Sequence, residues 1–343
     1  MNVRRRHVFL THGSSRIGLG HVRRCLALAG SLSGRGEEVT FVVSPDEAVR
    51  RLVESSGFGV TEVPWEADYP SAVRSVREAG ADTVVVDSYA ATAPLFEALR
   101  ATVDQVVAVD DSADRPLPVD VVINGGVGAP SLRYRLSENR LLLLGPEYAL
   151  IAAEYAEAPV RRTSDRIERV LVVLGGSLHQ KTLSVALAAA DSVLEGVVVE
   201  VVVGPYAGSA GVVDGAMRGR GNRAVIHGPV SNLRPLILQA DVALCGAGMT
   251  LYELAATATP SIMVLTASNQ SLNVRGFEQA GAAIFGGASD SHDLESALGW
   301  RLRELAHDSR LRTRLGSSAR RLVDGQGAAR VARELAGTPS ARR

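Results

Sequence analysis

Runs of mostly apolar residues alternate along the chain with segments whose apolar residues recur at helical spacing. In the first half such runs occupy residues 7–11, 38–43, 83–86, 105–109 and 119–123. A strand that is apolar at nearly every position is typical of a parallel sheet with both faces covered, because neither face meets water. The pattern therefore predicts an α/β protein in which strands and helices alternate.

A polar stretch interrupts this alternation near the middle of the chain. Residues 156–169 contain one proline and show no periodicity, which indicates a linker. The alternation then restarts, with apolar runs at 170–173 and 198–203. We predict two Rossmann-like parallel-sheet domains that face each other across a cleft. The first would span residues 1–155, and the second residues 170–343 with its arginine-rich C-terminal helices.

Composition narrows the kind of partner. The 343 residues contain 37 Lys and Arg against 37 Asp and Glu, so no overall field favours nucleic acid or a membrane surface. No apolar run approaches the ~20 residues that a membrane span needs. The two cysteines, Cys25 and Cys245, stand in apolar sequence and are predicted to be buried thiols. We predict a cytoplasmic protein with a small-molecule ligand and no nucleic-acid partner, and a monomer is compatible with the sequence.

The first glycine loop (residues 14–20) joins the first apolar run to a helical segment. The first amides of a helix lack backbone partners, so such a loop can hold an anion. His21 stands at its rim and can exchange a proton near neutral pH, which makes it the candidate base. The alternative is that His21 only begins the helix. The helical period buries Val22 and Cys25, and it directs Arg23 and Arg24 away from them.

The sequence departs from two common nucleotide-binding motifs. Gly18 and Gly20 match the first two glycines of a dinucleotide fingerprint, but Arg23 stands where the third glycine belongs. No glycine cluster is followed by Gly-Lys-Ser/Thr, so a P-loop is not predicted either. The histidines and cysteines show no zinc spacing. We therefore predict neither a metal nor another cofactor.

A second glycine loop (residues 246–249) begins a helix in the second half. The amides of Gly246, Gly248 and Met249 and the Thr250 hydroxyl are predicted to bind a diphosphate, and Glu253 the hydroxyls of a ribose. The alternative is a plain helix start with a solvated Glu253. Further candidate nucleotide contacts follow other strand ends in this half, and these are Gly175, Ser177 and Gly228.

Polar residues at other strand ends complete the candidate site. Besides Gly18 and Gly20, four residues are predicted to contact the substrate, and these are Asp87, Tyr89, Asn269 and Gln270. Any one of them alone is more often a turn or cap residue. Parallel strands present their carboxyl ends at one edge of a sheet. The polar residues of each half are therefore expected to line that edge of their own sheet.

Residues 17–29 resemble the opening motif of the UDP-sugar hydrolases of the pseudaminic acid pathway, whose relatives include spore-coat polysaccharide biosynthesis proteins. Asp87-Ser88-Tyr89, Gly145 to Leu150, Gly246-Ala247-Gly248 and Asn269-Gln270 follow in the family's order. The resemblance implies a GT-B fold and an inverting reaction in which His21 activates water at the anomeric carbon and UDP departs. It also implies that Tyr89 and Asn269 contact sugar and water.

Two positions depart from the family pattern. His12 is the nearest residue to a position that is acidic in the family, and Leu178 stands where an aspartate commonly follows Gly-Gly-Ser. The resemblance and the two glycine loops together imply a metal-independent nucleotide-sugar hydrolase. A GT-B glycosyltransferase with a hydroxyl or amine acceptor is the first alternative, because the same base and diphosphate site serve both reactions. A non-catalytic nucleotide-sugar-binding protein is the second.

Overall fold

The computed structural model describes residues 4–135, 140–175, 180–206 and 222–337. The chain forms two compact units, each built around a parallel sheet. Unit 1 consists of Met1–Ser14, Leu19–Ala153 and Gln326–Arg343, and unit 2 of Ser15–Gly18 and Glu154–Gly325. The predicted pair of parallel-sheet domains is thereby confirmed.

Unit 1 contains a seven-stranded sheet with the order β3-β2-β1-β4-β5-β6-β7. Its strands are β1 (Arg6–Thr11), β2 (Glu38–Val43), β3 (Gly59–Glu62), β4 (Thr83–Asp87), β5 (Gln105–Val109), β6 (Val121–Asn124) and β7 (Leu141–Leu144). Every residue of β4 and β5 is buried, which explains the runs of valine and alanine in their interiors, at 84–86 and 106–109. Four described α-helices of this unit lie between residues 19 and 153, and these are α1 (Gly20–Ser33), α2 (Glu47–Ser55), α3 (Tyr69–Glu78) and α4 (Ala93–Arg100).

The register of the central strands shows which residues share one edge of the unit 1 sheet. Thr11 at the end of β1 pairs with Val43 of β2 on one side and with Asp87 of β4 on the other. The residues that follow these strands therefore emerge at one edge of the sheet. That edge lies at the switch point between β1 and β4, where open α/β sheets bind ligands.

Unit 2 contains a six-stranded sheet with the order β10-β9-β8-β11-β12-β13. Its strands are β8 (Arg169–Val173), β9 (Val198–Val202), β10 (Arg223–His227), β11 (Val242–Gly246), β12 (Ser261–Leu265) and β13 (Ile284–Ala288). Its described helices are α5 (Gln180–Val193), α6 (Arg234–Gln239), α7 (Met249–Ala256), α8 (Ser271–Gln279), α9 (Leu294–His307) and α10 (Ser309–Leu322). Apolar residues of the strands and of α5 and α9 form its core.

The final helix belongs to unit 1, whereas the sequence assigned the whole C-terminal tail to the second domain. Helix α11 (Gly327–Gly337) packs against α1. A Cβ on Gly327 would lie 2.2 Å from the Ala149 carbonyl oxygen, so only glycine permits this approach. Arg330 also donates to the Glu147 carbonyl at 2.9 Å.

The segment predicted as a linker is held against unit 2. The Arg161 guanidinium donates to the carbonyl oxygens of Ala240 at 2.5 Å and Ile237 at 2.8 Å. Burial lowers the pKa of this guanidinium. Residues 156–169 are therefore an ordered part of unit 2, although their sequence lacks periodicity.

Strand β13 was not predicted, because Gly286 and Gly287 interrupt its apolar pattern. A Cβ on Gly286 would lie 2.5 Å from Leu298 Cδ2, so α9 packs too closely on this strand for a larger residue. Among the described residues, no helix has both the length and the hydropathy required to cross a membrane.

Candidate active site

His21 lies in the first turn of α1, immediately after the first glycine loop. Gly18 in this loop has a φ of +75°, a left-handed conformation that favours glycine. Among the described residues, no side chain makes a capping hydrogen bond at the start of the helix. His21 is only 7% exposed, so the burial of the first helical turn fixes its ring at the edge of the sheet.

Asp87 orients the His21 ring. Its Oδ1 lies 2.5 Å from His21 Nδ1, and its Oδ2 accepts a hydrogen bond from Arg24 Nε at 2.5 Å. Burial alone would raise the pKa of Asp87, but Arg24 and His21 outweigh it and hold this pKa well below its usual range. Asp87 is therefore an anion that can only accept, so His21 Nδ1 carries the proton.

This tautomer leaves the second ring nitrogen of His21 as an acceptor. Within the described part of the chain, Nε2 makes no hydrogen bond. An imidazole with one nitrogen held by a carboxylate and the other open is the arrangement that a general base requires.

Arg24 links this pair to a second carboxylate. Its Nη1 donates to Asp111 Oδ1 at 2.7 Å, and Tyr89 Oη donates to Asp111 Oδ2 at 2.6 Å. Burial opposes ionisation of Asp111, but Arg24 holds the pKa of this carboxyl below its usual range. The Tyr89 ring meets the His21 ring edge-on, with centroids 4.8 Å apart. Tyr89 is 39% exposed, so it is the member of the group that reaches solvent.

The charges of this group suit proton uptake. The Arg24 guanidinium faces two carboxylates, so the group carries one net negative charge while His21 is neutral. It becomes neutral when His21 accepts a proton. A developing imidazolium would therefore be stabilised without movement of any charged residue.

A second histidine lies next to the first. The His12 and His21 rings meet edge-on, with centroids 5.1 Å apart. His12 Nδ1 contacts Glu66 Oε1 and lies 3.4 Å from Ser88 Oγ. Ser44 Oγ donates to Glu66 Oε2 at 2.7 Å. His12 is thus itself paired with an acidic residue.

In unit 2, the second glycine loop leads into α7 as predicted. Gly248 precedes the helix, and no side chain in the described part of the chain caps it. The first turn of the helix contains no acidic residue. Gln270 Oε1 accepts hydrogen bonds from Thr266 N at 3.2 Å and from Thr266 Oγ1 at 3.0 Å. Gln270 Nε2 lies 3.5 Å from the position of a Cβ on Gly248, so its donors are beside the loop.

The other predicted residues of unit 2 have varied surroundings. Thr250 and Glu253 are half-buried in α7, and Asn269 is exposed in the turn after β12. Gly228 is exposed directly after β10. Gly175 follows β8 with a φ of +107°. Ser177 and Leu178 lie outside the described residues.

The structure changes two interpretations in unit 1. Asp87, predicted to contact substrate, is fully buried with both oxygens bonded, so we revise its role to positioning His21. Arg24, predicted to point away from the apolar side of α1, is 8% exposed and bridges two carboxylates. The periodicity could not reveal this, because the carboxylates that bury Arg24 lie far away in the chain, Asp87 at the end of β4 and Asp111 just after β5. Cys25 and Cys245 are free and buried, as predicted.

Two further clusters were missed. Glu66 stands in a loop without a motif, so nothing in its sequence context points to His12. In unit 2, Glu200 Oε2 lies 2.6 Å from His227 Nε2, and Glu200 Oε1 accepts from Arg169 at 2.7 Å. A glutamate inside the valine run of β9 is the sequence signal that could have identified this second cluster.

Two Rossmann-like units of this topology are the architecture of GT-B glycosyltransferases. The solved structure of the spinosyn rhamnosyltransferase SpnG is similar, with a TM-score of 0.67 and 15% identity over 98% of this chain and 100% of that one. The predicted GT-B fold is confirmed. Residues 170–312 match the glycosyltransferase family 28 C-terminal domain, so the chain is glycosyltransferase-like in its second unit.

Two relatives extend the similarity into the first unit. The spore coat polysaccharide biosynthesis protein SpsG of Bacillus subtilis (strain 168) is 25% identical over 92% of this chain and 93% of its own length. The pseudaminic acid cytidylyltransferase and UDP-2,4-diacetamido-2,4,6-trideoxy-beta-L-altropyranose hydrolase of Helicobacter pylori (strain ATCC 700392 / 26695) is 25% identical over 77% of this chain. The match spans only 45% of that second protein.

Proposed function

We propose that this protein is an inverting glycosyltransferase that moves a sugar from a nucleotide sugar, with UDP as the nucleotide, to a hydroxyl or amine acceptor. The observation that carries the proposal is the His21–Asp87 pair. It fixes the His21 ring through Nδ1 at the carboxyl-end edge of the unit 1 sheet, where open α/β sheets bind ligands, and leaves Nε2 for the substrate. The match of unit 2 to the glycosyltransferase family 28 domain supports a nucleotide-sugar donor.

In the proposed reaction His21 is the general base. The acceptor hydroxyl gives its proton to His21 Nε2 while its oxygen forms a bond to the anomeric carbon. The bond from that carbon to the diphosphate breaks on the opposite face, and its electron pair leaves with UDP. Asp87 keeps Nδ1 protonated throughout, and Tyr89 contacts the sugar. A positioned base of this kind contributes roughly 10²–10⁴-fold to the rate.

Unit 2 is proposed to hold the nucleotide. The amides at Gly246, Gly248 and Met249 would bind the diphosphate, whose negative charge grows as the bond breaks. The Gln270 amide adds donors beside this loop, and Thr250 adds a hydroxyl. Glu253 would bind the ribose. We also propose Gly18, Gly20 and Asn269 as sugar contacts and Gly175, Ser177 and Gly228 as further nucleotide contacts.

Hydrolysis is the second candidate. It is favoured by the similarity to a Helicobacter pylori protein whose name includes a UDP-sugar hydrolase activity. In this case water takes the place of the acceptor, and the same residues act. Because the amides of a helix N-terminus can neutralise a diphosphate, both reactions are proposed to be metal-independent, and EDTA should leave the rate unchanged.

The test is UDP release from a panel of nucleotide sugars, with and without sugar and amine acceptors. Release that requires an acceptor indicates transfer, release without one indicates hydrolysis, and binding without release indicates a binding protein. His21→Ala should retain less than about a hundredth of the activity. His292→Ala, at an exposed histidine, is the control and should retain full activity. A folded His21→Ala variant with more than about a tenth of the activity contradicts the base assignment.

A further inference from the structure

A polar cluster lies beside His21 on the β2 side of the unit 1 sheet. His12 follows β1, Ser44 follows β2, and Glu66 lies in the segment after β3. The three strands are parallel neighbours, so their carboxyl ends meet at the same edge. We call His12, Ser44 and Glu66 the β2-side cluster. Neither the proposed base nor the proposed nucleotide contacts include it.

The accessible end of this cluster is the Glu66 carboxylate. The His12 side chain is 8% exposed and Glu66 is 31% exposed. His12 Nε2 is buried and has no hydrogen-bond partner among the described residues. His12 therefore does not present a polar atom to solvent itself. Its ring instead joins Glu66 to the immediate surroundings of His21.

The chemistry of Glu66 defines what it can bind. Hydrogen bonds from His12 and Ser44 outweigh partial burial and hold the pKa of Glu66 below its usual range, so the carboxylate is ionised at neutral pH. Among the residues that the structure describes, each of its oxygens has one partner, His12 Nδ1 at Oε1 and Ser44 Oγ at Oε2. A carboxylate oxygen can accept a second donor. The remaining capacity suits hydroxyl or ammonium donors and rejects phosphates and carboxylates.

We infer that the β2-side cluster is an acceptor subsite, in which Glu66 binds a second hydroxyl or amine of the molecule whose nucleophile faces His21. The inference rests on the proposed transfer reaction and adds the class of acceptor to it. A single imidazole ring separates Glu66 from His21, so one sugar-sized molecule can meet both groups. Water is too small to do so. The subsite therefore favours a polyol or amino sugar as the nucleophile.

The first arm of the test measures binding without any reaction. Glucosamine, methyl β-glucoside and glucose 1-phosphate are titrated into the protein, and the imidazole C–H signals of His12 and His21 are followed by NMR. Glucosamine and the glucoside should shift both signals saturably, with glucosamine the tighter, and glucose 1-phosphate should bind more weakly. Glu66→Gln should weaken glucosamine binding at least about tenfold, since a charge-assisted hydrogen bond is lost.

Glu62→Gln is the matched control. Glu62 ends β3 and is exposed, and its carboxylate lies 4.0 Å from Arg50 Nε. This variant should bind glucosamine as the unaltered protein does. An equal loss in both variants, no binding of any probe, or glucose 1-phosphate as the tightest probe would overturn the inference.

The second arm uses UDP-N-acetylglucosamine as the donor and glucosamine as the acceptor. Glu66→Gln should raise KM for the acceptor about tenfold and leave KM for the donor unchanged, with any release of UDP to water unaffected. Equal losses of release to water and of transfer would mean that Glu66 only supports His21, and the subsite assignment would be wrong. If the unaltered protein turns over no nucleotide sugar, the proposed function fails, while the binding arm still decides whether the subsite exists.

Discussion

Replacing Asp87 by asparagine removes one charge from the buried group and leaves the shape of the side chain nearly unchanged. The carboxylate is fully buried and accepts from Arg24 Nε and Nη2 at 2.5 and 2.6 Å, as well as contacting His21. An asparagine has only one acceptor oxygen for these donors. It can also present its amide to His21 Nδ1, which would favour the tautomer with the proton on Nε2.

Two magnitudes follow for Asp87→Asn. Activity should fall by roughly 10²–10⁴-fold, because the nitrogen that faces the substrate would carry the proton. That loss corresponds to about 3–5 kcal/mol of transition-state stabilisation. The free energy of unfolding should fall by about 3 kcal/mol, near the lower end expected for breaking a buried ion pair, because Arg24 keeps its bond to Asp111.

The assay is UDP release at saturating donor, with urea unfolding of the same preparations. Asp82→Asn is the control, since Asp82 accepts from the Arg6 amide at an exposed site next to the amino end of β4. It should change activity less than about twofold. A folded Asp87→Asn variant that keeps more than about a tenth of the activity would refute the role of Asp87 in orienting His21.

Further predictions concern stability. Gly327→Ala should lower the free energy of unfolding by about 1–3 kcal/mol, because its Cβ would lie 2.2 Å from the Ala149 carbonyl oxygen. Gly30→Ala should raise the free energy of unfolding by about 0.5–1 kcal/mol, since Gly30 is an exposed residue of α1 with nothing within 4 Å of a new Cβ. Urea unfolding measures the effect of both glycine substitutions. The lowered pKa of Asp111 means that the unfolded chain takes up a proton at higher pH than the folded chain. The stabilisation is therefore complete above the ordinary carboxyl pKa of about 4 and is lost as pH falls through the lower folded value, so Asp111→Asn should flatten the pH dependence of unfolding below pH 4. An unchanged slope would contradict this account.

The predictable part of the fold follows from burial on both faces of the sheets. Strands such as β4 and β5 are apolar at every inner position, so a single sequence reveals them. Strand β13 was not predicted, because glycine in a sequence is typical of a turn. The glycine at 286 is required instead by the close packing of α9 on this strand. Helix α11 was assigned to the wrong unit because its amphipathic pattern shows that it packs, but not against which partner.

Some residues of the candidate site could likewise be predicted from local sequence, and others could not. His21 and Tyr89 were predicted from a local loop and from a strand end, and the structure brings them together at one edge. Arg24 and Glu66 were not predicted as part of this site, because the residues that each contacts lie far away in the chain. Arg24 is buried by carboxylates more than sixty positions away, at 87 and 111, and Glu66 meets a histidine 54 positions earlier.

The sequence by itself determined the α/β class, the two-unit organisation and the loops that could carry chemistry, because these depend on local periodicity and on residues close together in the chain. Only the tertiary structure decided that Asp87 contacts His21 rather than facing the substrate, and that His12 is joined to Glu66. Strand order and register set these pairings. They bring together the segments that follow separate strands, and no local pattern records which strands will be neighbours.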